Sequence, residues 1–184
     1  MEEANSLLAR FALVPVVVAV VLASGCGGSS NTLSATDWAN NLCSALTTWT
    51  SSVKSTANSL QANPSKESLK SAAGDIKSAS DTLVDDLKDL GKPDTKAGQD
   101  AKDAIDQLSS EVEDDVQEMQ SAVDKVSGVQ GVLAATSSVS ATLSKMGDQI
   151  NSAASKLDSA DPGGELKQAF QKAPACKSLT SPSS

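Results

Sequence analysis

The chain has 184 residues, with 15 Lys and Arg against 23 Asp and Glu and a formal charge of -8, a balance that argues against a general nucleic-acid binder. It contains no His and no Tyr, which removes Ser-His and Cys-His nucleophile pairs and His metal ligands from the candidate chemistries and points away from an enzyme. Its aromatic residues are Phe11, Trp38, Trp49 and Phe170, so a pocket in this chain has to be lined by aliphatic side chains rather than rings.

Residues 12–23, ALVPVVVAVVLA, form an uncharged apolar run, too short to cross a bilayer as a stable helix and suited to the apolar region of a signal peptide. Gly25, Gly27 and Gly28 argue against its continuing as a buried helix. The run leads through Leu22-Ala23-Ser24-Gly25 to Cys26, and this segment resembles the lipobox of bacterial lipoprotein precursors. It departs from that pattern in Ala23, where leucine is usual, and in carrying Glu2 and Glu3 beside Arg10. The resemblance implies that residues 1–25 are a cleaved signal peptide and that Cys26 becomes an acylated, palmitate-type N-terminal residue. The mature chain is then held on the extracytoplasmic face of the cell membrane, its membrane contact being the acyl anchor. Residues 26–33 form a Gly/Ser-rich tether that keeps the domain within about 15 Å of that surface.

Assigning Cys26 to lipid leaves Cys43 and Cys176 as an even pair in an oxidising compartment. A disulfide is the natural reading, with two buried free thiols as the alternative. A redox site is disfavoured, because the two cysteines stand in separate segments with no CxxC.

Of the 159 residues from 26 to 184, 27 are Leu, Ile, Val or Phe, a level at which disorder competes with folding. Periodicity decides for folding. In a first helix from Ser34 to Ala62, Trp38, Leu42, Leu46, Trp49, Val53 and Leu60 recur at threes and fours, and Asn63-Pro64 ends it. Ser65 caps a second helix, in which Leu69, Ala73, Ile76, Ser80, Leu83, Leu87 and Leu90 keep near-heptad spacing up to Gly91. After Pro93, with Asp94 or Thr95 as cap, a third stripe runs from Ala97 through Ala101, Ile105, Leu108, Val112, Val116, Met119 and Val123 to Val126. Gly128 and Gly131 mark a turn, and Val132, Thr136, Val139, Leu143, Met146, Ile150, Ala154 and Leu157 form a fourth. Asp161-Pro162-Gly163-Gly164 closes it, and Glu165 to Lys172 forms a short fifth helix with Leu166 and Phe170 facing inward.

The spacing therefore predicts an all-α domain over residues 34–178, an antiparallel up-down four-helix bundle with a short C-terminal helix, followed by a disordered tail at 179–184. In that topology the fourth helix returns to the level where the first began, which brings the tail within reach of Cys43.

The blocks DWANNLCSALTTW (37–49), LGKPDTKAGQDAKDAIDQL (90–108) and GGELKQAFQKAPAC (163–176) are similar to those of small uncharacterised actinobacterial lipoproteins and together span most of the mature chain. That resemblance implies an envelope location and the pairing of Cys43 with Cys176. It supplies no catalytic residue.

Residues 81–118 hold thirteen acids against four lysines. Within them Glu111, Asp114, Asp115 and Glu118, at i, i+3, i+4 and i+7, share one helix face and are weak candidates for a divalent cation or a cationic partner. Without a Gly-bearing loop of the EF-hand kind, a solvated face is the favoured reading, and no metal or cofactor is expected. Trp38 and Trp49, eleven residues apart on one face, read as core. The leading function is that of a binding or scaffolding component of the cell envelope with a protein partner. The alternative is a carrier for a lipid or other apolar ligand held between the helices, lined by Met119, Met146, Leu and Val; it requires an aliphatic cavity of several hundred Å³, roughly the volume of known ligand sites.

Overall fold

A computed structural model describes residues 32–180. The apolar run, Cys26, most of the tether and the last four residues lie outside the described residues. Two short strands, β1 (Thr32–Leu33) and β2 (Lys92–Pro93), accompany six helices: α1 (Ala35–Ala62), α2 (Lys66–Asp89), α3 (Gly98–Asp124), α4 (Gly128–Ala160), α5 (Glu165–Lys172) and α6 (Pro174–Thr180). No helix among the described residues is long and apolar enough to cross a membrane.

The helix starts follow from local chemistry. Ser34 accepts a hydrogen bond from the Asp37 amide at the head of α1. Ser65 and Ser68 form a reciprocal box at the head of α2, in which each side chain accepts from the other residue's amide, at 3.0 and 2.8 Å. The cap expected at Asp94 or Thr95 is absent, and α3 starts behind Ala97 with no side-chain cap. That stretch serves another purpose: β2 pairs in parallel with β1, the Asp94 amide donates to the Leu33 carbonyl at 2.8 Å, and the chain then turns through Thr95 into Gly98. Gly98 is needed there, since a Cβ would run into the Pro93 carbonyl oxygen. Of the two glycines expected to turn the chain before α4, Gly128 does so with φ near +64°, whereas Gly131 already lies inside the helix. The C-terminal end also differs from expectation: Pro174 starts an additional helix, α6, which runs two residues past position 178.

The long helices pack consecutively, α1 on α2, α2 on α3 and α3 on α4, as an antiparallel bundle should. Among the described residues no Cα atom of α1 comes within 8 Å of one in α4, whereas α5 and α6 pack on α1. The core divides accordingly. The larger part, at the end where the chain enters, joins Trp38, Leu42, Leu87, Ile105, Leu108, Met146, Leu157 and Leu166. The smaller, at the other end, gathers Leu60, Leu69, Ile76, Met119, Val123 and Val139. Both indoles are buried and satisfied: Trp38 Nε1 donates to the Gly91 carbonyl at 3.2 Å and Trp49 Nε1 to Ser80 Oγ at 3.0 Å. The expected stripes of α2 and α3 are fully buried, but Leu46 and Val53 of α1 and Leu143 and Ile150 of α4 are only half-buried, and Ala154 is exposed. Of these, Leu46, Ile150 and Ala154 line the gap between α1 and α4.

Candidate functional site

Opening the α1–α4 seam leaves a cleft of about 680 Å³. Its α1 wall is Leu42, Leu46 and Thr50, its floor Ile105 and Leu108 of α3, and its α4 wall Ile150, Ala153, Ala154 and Leu157; Leu166 and Phe170 of α5 close one end. The helical repeat explains the walls, because residues three and four apart share a face and neither helix meets the other across the gap. Met119 and Met146, expected to line a carrier site, are instead wholly buried and absent from the cleft. Both lie on the inward side of their helices, where packing against α2 and α3 leaves no free surface.

The end of the cleft is fixed covalently and by hydrogen bonds. Cys43 and Cys176 form a disulfide, with Cα atoms 5.0 Å apart across 133 residues of sequence, and the Ala175 amide donates to Asn40 Oδ1 at 3.0 Å. Phe170 packs edge-on against Trp38, ring centres 6.2 Å apart. Asp161 turns the chain from α4 into α5: Oδ1 accepts from the Glu165 amide and Oδ2 from the Lys167 amide, both at 3.0 Å. A chain with few large core residues thus holds its last two short helices by one cross-link and a handful of directed contacts.

The acidic face is not uniformly solvated, which corrects the expectation for one of its four members. Asp114 and Glu118 are exposed and Glu111 half-buried, but Asp115 is only 1% exposed. Lys145 of α4 reaches across to it, Nζ lying 2.6 Å from Asp115 Oδ1 and 3.7 Å from Glu118 Oε2. The hydrogen bond that Lys145 donates to Asp115, together with that carboxylate's negative charge, pushes the Lys145 ammonium above the usual lysine value. Asp115 is buried because i+4 on this face turns toward α4, so that its charge ties α3 to α4. Beside it lies a second hollow of about 440 Å³, bounded by Glu111, Asp114, Asp148 and Gln149, where Asp115 Oδ2 and Gln149 Oε1 are buried without a partner among the described residues. Among the described residues no three Asp, Glu, Cys or His side chains are placed to hold a metal ion.

No family model, curated protein or solved structure matches the chain. The functional reading therefore rests on the geometry.

Proposed function

We propose that this chain is a binding protein that holds an apolar or amphiphilic small molecule in the cleft between α1 and α4. The observation that carries this reading is the open seam: apolar side chains stand on both walls and the floor around about 680 Å³, and no helix covers them. That volume lies within the usual span of about 300–1,000 Å³ for ligand sites. Scaffolding alone requires no such cleft. Its best support is Val129 and Leu133, 76% and 57% exposed on the first turns of α4, a patch far smaller than a stable protein interface needs.

The proposal places the protein on the outer face of the cell membrane, anchored through Cys26, and gives it no catalytic step. Support for the location comes from the apolar run ending at Cys26 and from the Cys43–Cys176 disulfide, which suits an oxidising compartment. Two experiments test these parts separately. Native mass spectrometry of the purified protein is expected to show a bound apolar molecule that is lost in Ala154→Trp, a substitution that fills the cleft from its exposed wall. Wild-type protein that carries nothing and takes up no added alkyl ligand contradicts the binding reading. For the anchor, Cys26→Ala is expected to abolish incorporation of labelled fatty acid, and equal labelling of wild type and variant contradicts it.

A further inference from the structure

The hollow between α3 and α4 shares no residue with the α1–α4 cleft. Glu111, Asp114 and Asp115 of α3 and Asp148 of α4 bring four carboxylates to it, against the single ammonium of Lys145. Part of that charge is already engaged. Lys145 holds Asp115 Oδ1, and Gln107, which accepts from Lys156, donates to Glu111 Oε1 at 2.7 Å. Asp114 and Asp148 stand exposed on the rim and form no ion pair among the described residues. Acids alone would make only a solvated face. The inner end of the hollow differs, because Asp115 Oδ2 and Gln149 Oε1 are both buried there and neither has a donor among the described residues. A buried acceptor without a donor costs free energy, and more so when it belongs to a carboxylate that is 1% exposed.

We infer that this hollow is a second binding site, and that its ligand is a small linear diamine. One ammonium donates to Asp115 Oδ2 and Gln149 Oε1, and the other meets Asp114 and Asp148 at the rim. Both orphaned atoms are acceptors, so the ligand has to supply N–H or O–H groups; the excess of carboxylates asks that it also carry positive charge. An ammonium does both, having three donors and no acceptor, and hydrogen bonds between charged partners are the strong ones. A calcium ion fits less well, since it needs six to eight oxygens and no three acids are placed to hold a metal among the described residues. The α4 wall runs about 10 Å from Lys145 to Ser152, at 1.5 Å per residue, and the volume of about 440 Å³ leaves room for a short alkyl chain between the two ends.

The test is a calorimetric titration of the full chain with putrescine, butylamine and calcium, in salt of about 0.15 M to screen general attraction to an acidic surface. Putrescine is expected to saturate one site and to bind more tightly than butylamine, with calcium weakest. Gln149→Leu removes one of the two orphaned acceptors and is expected to lower the affinity for both amines about tenfold, in line with a hydrogen bond to a charged group. Asp148→Asn, an exposed change that leaves the packing untouched, is expected to weaken putrescine about two- to fivefold and to leave butylamine unchanged. The side-chain amide signal of Gln149 is expected to shift on addition of putrescine. Equal binding of putrescine and butylamine assigns the hollow to a single ammonium, such as a lysine of a partner protein, and overturns the diamine. Calcium binding tighter than putrescine and lost in Gln149→Leu overturns the organic cation. Putrescine binding unaffected by either substitution, or no binding of either amine, overturns the site.

Discussion

Lys145 and Asp115 form a lopsided ion pair: the ammonium is more than half exposed, whereas the carboxylate is 1% exposed. Removing the two partners therefore has unequal consequences. Lys145→Met strands a buried carboxylate, while Asp115→Asn lets the lysine turn back to water, so Lys145→Met is expected to lower the melting temperature more than Asp115→Asn does. Exposed neighbours matter less: Asp114→Asn and Glu118→Gln are expected to stay within about 0.5 kcal/mol of wild type. The pair also fixes a pH dependence. Because the folded-state value for Lys145 is raised above the usual 10.5, its contribution is complete below that value and is lost as pH rises through the folded-state value. In urea titrations the midpoint gap between wild type and Lys145→Met is expected to be constant through neutral pH and to narrow in the alkaline range. A gap that narrows toward acid while holding at alkaline pH contradicts this assignment. At the same scale, Cys176→Ser frees α6 from Cys43. A loop of this length corresponds to roughly 5 kcal/mol in the chain-entropy account, an upper figure, so a marked fall in melting temperature is expected by calorimetry.

Two helices carry interior glycines that nothing in the packing requires. At Gly74 of α2 and Gly147 of α4 a Cβ would meet no atom within 4 Å. Gly74→Ala and Gly147→Ala are each expected to stabilise the fold by about 0.5–1 kcal/mol in chemical denaturation, because the unfolded chain loses freedom and the helix loses nothing. Gly98→Ala is expected to act in the opposite sense, by about 1–3 kcal/mol, since the new methyl meets the Pro93 carbonyl. The contrast shows what was legible in the sequence. Stripes at threes and fours located α2 and α3 to within a residue or two, because both are covered on their apolar faces. The cap at Asp94 or Thr95 misled because a two-residue strand pairing 60 positions away in sequence, Thr32 with Lys92, redirected that segment. Such a pairing leaves no periodic trace. The same limit hid the burial of Asp115: spacing put it on a face with Glu111, Asp114 and Glu118, but only the position of α4 decides which of them turns inward.

At the scale of the molecule, four apolar stripes implied an antiparallel four-helix bundle, and the chain makes one, with a gap left between α1 and α4. The clue was present in composition without being decisive. The α4 stripe mixes Thr136 and Ala154 with larger residues, and the inward positions that α4 actually buries are Ala135, Val139, Thr142, Met146, Ala153 and Leu157. Small residues of this kind fit close helix approach on one side only, and α1 is drawn to α5 and α6 by the disulfide and by Phe170 against Trp38. The seam that results concentrates half-buried aliphatic groups in one place, which is what a binding function needs and a closed bundle denies. Methyl NMR tests this most directly, because the chain has three isoleucines in informative places: Ile105 and Ile150 line the cleft, and Ile76 lies in the separate core at the other end. With isoleucine δ1-methyl labelling and titration with laurate, the account predicts saturable shifts of the Ile105 and Ile150 signals with Ile76 unmoved. Unchanged signals from all three, or a shift led by Ile76, would contradict it.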